Sequence, residues 1–207
     1  MVERLAQIYP EDKHRIITIT GVSGAGKNYL VDKARETDPG LIGGRIAVFN
    51  FGSELLQSIV SDLPELEHQG RDKLKNLPMK VVDGYIERTI QKLIRVQPAM
   101  QLTHLVFRQE GELVIKPESE RLTNAIEYIF VEADPAMVNA WRMKEYGERA
   151  RTIETVDEIR LHQEIAKSVT LSFAKHFGAG MLLIYNHPVG FDDGVAAMLE
   201  EARMLLR

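Results

Sequence analysis

The chain contains Gly21-Val22-Ser23-Gly24-Ala25-Gly26-Lys27-Asn28 directly after the run Arg15-Ile16-Ile17-Thr18-Ile19-Thr20, and these two segments decide its fold. The isoleucine- and threonine-rich run predicts a buried strand because β-branched residues are enriched in strands. The residues that follow Asn28 continue in a helical pattern. A strand, a glycine-rich turn and a helix in this order are what a phosphate-binding loop (P-loop) requires.

The glycine-rich turn also predicts how a polyphosphate is bound. Glycines let the backbone turn tightly, so that successive N–H groups point inward around the anion. The lysine reaches the β- and γ-phosphates, and the following helix presents its positive N-terminus. The predicted phosphate-binding residues are Gly21, Ser23, Gly24, Ala25, Gly26, Lys27 and Asn28.

Asn28 departs from the usual P-loop pattern. The residue after the lysine is normally Ser or Thr, whose hydroxyl ligates Mg²⁺. An asparagine amide oxygen can also ligate a hard cation, but with a different reach, so Asn28 is the candidate metal ligand. The alternative is a glycine-rich turn that contains a lysine by chance, and the flanking strand and helix argue against it.

The composition indicates one domain and excludes several kinds of partner. A chain of 207 residues with 44% hydrophobic residues can bury one sizeable core, so we predict a single domain over residues 1–207. The net charge of −4 argues against a broad electrostatic surface for nucleic acid. The absence of cysteine excludes disulfides and fits a reducing compartment. Without an apolar run of membrane-spanning or signal-peptide length, we expect a cytoplasmic protein with no membrane partner.

Strand-like and helix-like segments alternate along the chain. We predict strands at 15–20, 45–50, 101–107, 128–132 and 181–185, with helical patterns between them. One long helical pattern places Leu161, Ile165, Val169 and Phe173 on one face. This alternation predicts an α/β fold of three layers around a central, mostly parallel five-stranded sheet, with ligands at the carboxyl ends of the strands.

Three polar residues lie toward or just beyond the carboxyl ends of predicted strands and are therefore candidate site residues. Asn50 ends the second strand, where a plain strand-to-helix connection is the alternative role. His104 lies in the second half of the third strand, and Arg108 follows it. A single histidine is more often structural, but an arginine beside it favours contact with an anion because a guanidinium can clamp phosphate oxygens.

Two charged segments lie between helical patterns. Arg71-Asp72-Lys73-Leu74-Lys75 is typical of a solvated face. The second segment carries Arg142, Arg149 and Arg151 around a Tyr146-Gly147 break. A mobile, arginine-bearing lid over about residues 142–154 would exclude water and neutralise a transferring phosphoryl group; the alternative is an exposed charged connection.

Taken together, these segments resemble the archaeal-type adenylate kinases over nearly the whole chain. The P-loop, Asn50-Phe51-Gly52 and the 71–75 segment occur in the family's order. They are followed by Thr103-His104 with Arg108, and by the strand 128–132 that leads to the arginine segment. Ile153-Glu154 and His162-Gln163 continue that order.

The resemblance implies transfer of the γ-phosphoryl group of ATP to AMP, with Mg²⁺ as cofactor and nucleotides as the binding partners. It places Gly21, Gly24, Gly26 and Lys27 around the ATP phosphates. It implies a helical acceptor-side segment over about residues 53–96. On the acceptor side it places Asn50, Arg71, Lys75, His104 and Arg108, and on the transferring group it places Lys27, Arg142, Arg149 and Arg151.

Two departures from the family concern the metal and lead to alternative functions. Asn28 replaces the usual hydroxyl, and Leu102 stands where the family has an aspartate. A catalytically weakened ATP-binding protein, acting as a sensor or partner-binding module, is therefore the main alternative. The charged stretch 109–121 also departs from the family, which leaves open a kinase for a different small-molecule acceptor.

Overall fold

A computed structural model describes residues 1–6, 14–64, 79–109, 111–115, 125–144, 154–187 and 190–207. The strands are β1 (Val2–Ala6), β2 (His14–Thr20), β3 (Ala47–Asn50), β4 (Ala99–Leu102), β5 (Val106–Gln109), β6 (Glu112–Ile115), β7 (Ala125–Ala133) and β8 (Gly180–Asn186). The helices are α1 (Lys27–Thr37), α2 (Phe51–Asp62), α3 (Met79–Arg95), α4 (Pro135–Lys144), α5 (Val156–His176) and α6 (Phe191–Met204). Among these described helices, none is long and apolar enough to cross a membrane.

The central sheet has the strand order β1-β8-β7-β2-β4-β3. The five strands from β8 to β3 are parallel, as the sequence predicts. A sixth strand, β1, pairs antiparallel with β8 and was not predicted. Its sequence, Val-Glu-Arg-Leu-Ala, is short and carries two charges, which is typical of an edge strand rather than a buried one.

Helices cover both faces of this sheet and complete the predicted three layers. Side chains alternate between the faces along each strand. On one face, Gly194 of α6 lies against Ile184 of β8 and Leu30 of α1. On the other face, Lys167 of α5 donates to the carboxylate of Glu132 at 3.0 and 3.1 Å. The sheet therefore lies between α1 and α6 on one face and α5 on the other.

The predicted third strand, 101–107, is wrong in its bounds. β4 ends at Leu102, and the last hydrogen bond to the neighbouring strand β2 runs from Thr103 N to Ile19 O at 3.0 Å. The chain then leaves the sheet, and β5 pairs antiparallel with β6 in a separate hairpin. A continuous apolar run cannot show where pairing to the neighbouring strand stops, because the hairpin uses the same residue types.

The predicted apolar stripe of α5 packs against the core through Ile165, Val169 and Phe173, which are partly buried, but the most buried face of the helix is offset from it. Leu161 is 52% exposed, whereas Ala166, Thr170 and Ala174 are buried. Small residues on this face let the helix lie close to β7 and β8. Its first turn is fixed by a capping box, in which Thr155 and Glu158 each accept a bond from the other's backbone N–H.

A buried ion cluster lies near the amino ends of β7 and β8, far along the sheet from the P-loop. We call it the Glu127 cluster, and it consists of Arg4, Glu127 and Glu201. The Nη1 atom of Arg4 lies 3.4 Å from both carboxylate oxygens of Glu127, and its Nη2 atom donates to Glu201. Gly180 makes room for it, since a Cβ atom there would lie 1.9 Å from Glu127 Oε2. The cluster joins β1, β7 and α6.

Candidate active site

The P-loop connects β2 to α1 and requires glycine at two positions. Gly21 has φ 141° and Gly26 has φ 86°, values that other residues rarely adopt. Space is also restricted: a Cβ atom at Gly21 would lie 2.3 Å from Val131 O, and one at Gly26 would lie 2.0 Å from Asn186 Nδ2. Residues of the neighbouring strands β7 and β8 therefore leave no room for a side chain at these two positions of the loop.

Asn186 fixes the loop from the end of β8. Its side chain is buried, and Nδ2 donates to Ala25 O at 2.8 Å. The sequence analysis missed this residue. The signal was present, because Asn186 directly follows the predicted strand 181–185 at the sheet edge where parallel strands end.

Lys27 lies inside the loop and not in solvent. Its Nζ atom donates to Gly21 O and to Val22 O, each at 2.9 Å, and lies 3.3 Å from His104 Nδ1. His104 Nδ1 in turn lies 2.8 Å from Gly21 O, a distance at which a ring N–H donates to that carbonyl. The end of β4 thus brings the predicted histidine against the predicted phosphate-binding lysine.

Arg142 connects α4 to the same loop. Its side chain is almost fully buried, and Nε donates to Ser23 O at 2.8 Å. Its stem lies against Gly24, where a Cβ atom would be 3.3 Å from Arg142 Cγ. Nη1 donates to Glu154, while Nη2 is buried with no hydrogen-bond partner among the described residues. A guanidinium therefore lies directly on the P-loop.

Glu154 is the centre of a second buried ion cluster, which lies beside the P-loop. The Glu154 cluster consists of Arg108, Arg142, Glu154 and His162. Arg108 Nε and His162 Nδ1 each lie 3.2 Å from Glu154 Oε1, and Arg142 Nη1 donates to Oε2. Burial alone would raise the pKa of Glu154, but the His162 hydrogen bond and the Arg142 charge outweigh it and lower the pKa to about 2.

Comparison with known proteins shows a similarity that spans most of the chain. No protein-family model matches the chain. An adenylate kinase of Thermococcus sibiricus is 26% identical over 196 residues, which cover 92% of this chain and 94% of the relative. The corresponding protein of Pyrococcus abyssi is 25% identical over 191 residues (89% and 93%), and that of Thermoplasma volcanium is 29% identical over 171 residues (81% and 88%).

The chain is therefore similar to archaeal adenylate kinases over most of its length. Solved structures support the P-loop fold at lower identity. A putative kinase from Chloroflexus aurantiacus superposes with a TM-score of 0.51 at 11% identity, covering 94% of this chain and 99% of that one. A shikimate kinase from Acinetobacter baumannii has a TM-score of 0.50 at 14% identity, covering 92% and 93%.

The predicted site residues of this adenylate kinase-like chain fall into three groups. The P-loop residues, His104 and Arg142 lie together. The resemblance placed Arg108 on the acceptor side. In the structure Arg108 contacts Glu154, which also contacts Arg142. Asn50 lies at the end of β3, where its Oδ1 accepts from Ser53 N at 3.2 Å and caps α2. Arg71, Lys75, Arg149 and Arg151 lie outside the described residues.

The sequence predicts the backbone position of Glu154 but not its contacts. It immediately precedes Thr155, the N-cap of α5, so its position at a helix start could be predicted. Its contacts with Arg108, Arg142 and His162 could not be predicted, because these residues come from three separate elements, β5, α4 and α5.

The site fits a polyphosphate better than it fits a metal ion held by the protein. Asn28 is exposed at the start of α1, and Leu102 is an apolar side chain, 4% exposed, at the end of β4. Glu132, a carboxylate near the carboxyl end of β7, pairs with Lys167. The described residues contain no group of three or more His, Asp or Glu side chains that could hold a metal. Any Mg²⁺ would depend on phosphate oxygens and water for most of its ligands.

Proposed function

We propose that this protein is a nucleotide kinase that transfers the γ-phosphoryl group of ATP to a nucleoside monophosphate, with AMP as the first acceptor to test. One observation carries the proposal: a glycine-constrained P-loop contains Lys27 and is contacted by the guanidinium of Arg142. The relatives named adenylate kinase, which align over most of the chain, support a phosphotransferase of this kind.

The geometry supplies what phosphoryl transfer needs from a protein. The transition state spreads negative charge over the transferring group, so catalysis depends on positioning and on fixed positive charge. Lys27 lies at the loop, and Arg142 lies on it with Nη2 still able to donate to an added anion. When bound, Mg²⁺ neutralises phosphate charge, and of the loop residues Asn28 is the side chain we propose to contact it.

We propose the remaining predicted residues for the acceptor and the lid. Asn50 and His104 lie at the carboxyl ends of β3 and β4, where an acceptor nucleotide would approach. Arg71 and Lys75 are proposed to contact its phosphate. Arg149 and Arg151 are proposed to cover the transferring group from the lid.

A second candidate function is an ATP-binding protein with weakened transfer that serves as a sensor or partner-binding module. The specific observation in its favour is the buried Leu102 at the end of β4, with the exposed Asn28 nearby in the P-loop region. Loss of a carboxylate at this position removes one contribution to holding a metal ion near the phosphates.

The test is ADP formation from ATP and a panel of nucleoside monophosphates, with and without Mg²⁺, together with ATP binding by calorimetry. Lys27→Ala should weaken ATP binding by about 2–3 kcal/mol, because a charge-assisted phosphate contact in a partly desolvated site is lost. Lys33→Ala is the matched control: Lys33 lies on the same helix, has a side chain that is 40% exposed, and pairs with Glu36.

Two outcomes separate the candidate functions, and a third contradicts both. Acceptor-dependent ADP formation supports the kinase. Tight ATP binding without turnover on any acceptor supports the binding protein. Equal ATP affinity in wild type and Lys27→Ala would contradict both.

A further inference from the structure

The guanidinium of Arg142 is held at two of its three nitrogen atoms. Nε donates to Ser23 O at 2.8 Å and Nη1 donates to Glu154, while Nη2 lacks a partner among the described residues. A guanidinium is planar, so two fixed contacts set the direction of the third donor. Glu154 therefore determines where Nη2 points.

The carboxylate of Glu154 is itself fixed by the backbone around it. Asn139 Nδ2 donates to the backbone oxygen of Glu154 at 2.8 Å, which ties it to α4. The next residue, Thr155, is the N-cap of α5 in a capping box. Because both sides of the residue are held, its side chain has a defined position rather than that of a loop residue.

The charges of the Glu154 cluster do not balance within the site. One carboxylate contacts two guanidiniums, those of Arg108 and Arg142, and is 4% exposed. Glu158 lies 3.5 Å from Arg108 Nη1, but it is 43% exposed and therefore screened by water. A buried cation is costly unless it is paired, so Glu154 makes it possible to bury Arg142 while an excess of positive charge remains beside the P-loop.

One carboxylate also links separate parts of the site. Oε1 contacts Arg108 of the β5–β6 hairpin and His162 of α5, and Oε2 contacts Arg142 of α4. Arg142 in turn contacts Ser23 of the P-loop. The hairpin and two helices therefore meet at the Glu154 side chain, and Arg142 connects them to the phosphate loop.

We propose that Glu154 is a positioning residue for phosphoryl transfer: it orients Arg142 toward the transferring group and ties the β5–β6 hairpin to that arginine. This rests on the proposed kinase function. Glu154 does not touch the reacting atoms and acts through Arg142. An interaction that matters mainly in the transition state changes kcat and leaves ATP affinity nearly unchanged.

The test compares Glu154→Gln, Glu154→Asp and the control Asp157→Asn, at a temperature at which melting curves show each variant folded. We expect Glu154→Gln to lower kcat at least tenfold, with KM for ATP within about twofold of wild type. Glu154→Asp keeps the charge and should recover part of the rate. Asp157→Asn removes a carboxylate at the same helix start, where the Asp157 side chain is 88% exposed and pairs with Arg160, and should change kcat by less than about twofold.

A second measurement does not depend on turnover. In protein labelled with ¹⁵N-arginine, the Nε–H signal of Arg142, assigned by its loss in Arg142→Lys, should be protected from exchange with water. It should lose that protection in Glu154→Gln, keep part of it in Glu154→Asp and keep all of it in Asp157→Asn. Unchanged protection in both Glu154 variants would overturn the positioning role, as would wild-type kcat in a folded Glu154→Gln. Absence of turnover in wild type would overturn the kinase function, and the exchange result alone would then decide whether Glu154 orients Arg142.

Discussion

Two buried ion clusters at opposite ends of the sheet have opposite charge balance. In the Glu154 cluster, beside the P-loop, one carboxylate contacts two guanidiniums. In the Glu127 cluster, near the amino ends of β7 and β8, two carboxylates contact the guanidinium of Arg4. Both contain a glutamate that is at least nine-tenths buried, so burial alone does not distinguish them.

The two glutamates shift their pKa values in opposite directions. Burial raises the pKa of Glu127, the neighbouring Glu201 raises it further, and Arg4 only partly opposes them, giving a value of about 8. The pKa of Glu154 is lowered to about 2. The Glu127 cluster can therefore resolve its excess charge by holding a proton. In the Glu154 cluster the excess charge is positive, and binding a proton would only increase it. This cluster therefore favours an anionic ligand.

The largest expected difference between the clusters is catalytic. Arg142→Met should lower kcat by about a thousandfold, because a cation that neutralises the transferring phosphoryl group is lost. Arg4→Met removes the equivalent arginine of the Glu127 cluster and should leave kcat within about twofold. The measurement is ADP formation at saturating ATP with the best acceptor, on variants whose folding is verified by melting. Equal losses in the two variants would show that the clusters do not differ in function.

An intermediate effect is expected on the pH dependence of stability. The pKa of Glu127 is about 8 in the folded protein, against an ordinary value of 4.5, so the native state binds the proton more tightly. Its contribution is therefore complete below about pH 4.5 and is lost as the pH rises through about 8. Glu127→Gln should remove the part of this loss that falls between pH 6 and pH 9, which is on the order of 3 kcal/mol.

Urea unfolding at pH 6 and pH 9 measures this contribution. Glu3→Gln is the control, because Glu3 is an exposed glutamate on β1. If Glu127→Gln loses as much stability between the two pH values as wild type and the control do, Glu127 does not carry the buried proton.

The smallest effect concerns the helix start that presents Glu154. Thr155→Ala removes the side-chain oxygen that accepts from Glu158 N at 3.2 Å, and should lower the free energy of unfolding by about 1 kcal/mol. Ser172→Ala is the control, since the Ser172 hydroxyl bonds to Ser168 O within the same helix. A stability loss in Thr155→Ala no larger than in the control would mean that the capping box contributes nothing measurable.

The P-loop could be predicted because its determinants are local. The spacing of glycines around Lys27, between a β-branched run and a helical pattern, is sufficient to specify the turn. The parallel strands were also predictable, because buried parallel strands are continuous apolar runs. Arg142 was predicted to act on the transferring group, but its contact with Ser23 depends on how α4 packs and is not encoded in spacing.

The rest depends on pairing between distant segments. Glu127 lies within an apolar strand, and its partner Arg4 is 123 positions earlier in the chain. The end of β4 is set by where β2 stops pairing with it, and no local residue marks that point. On α5 the apolar stripe lies at the edge of the buried face, because Ile165 is only partly buried and Leu161 is exposed. The small residues Ala166 and Ala174 are buried, since they allow close approach to the sheet.

The position of Lys27 has a consequence for the energetics of ligand entry. Lys27 is only 7% exposed, and its ammonium group already donates to the carbonyl oxygens of Gly21 and Val22. The group therefore loses its water shell when the chain folds, and not when a phosphate arrives. Ligand entry becomes an exchange of one set of oxygen partners for another, so the dehydration of the cation belongs to the stability of the fold and is absent from the cost of binding.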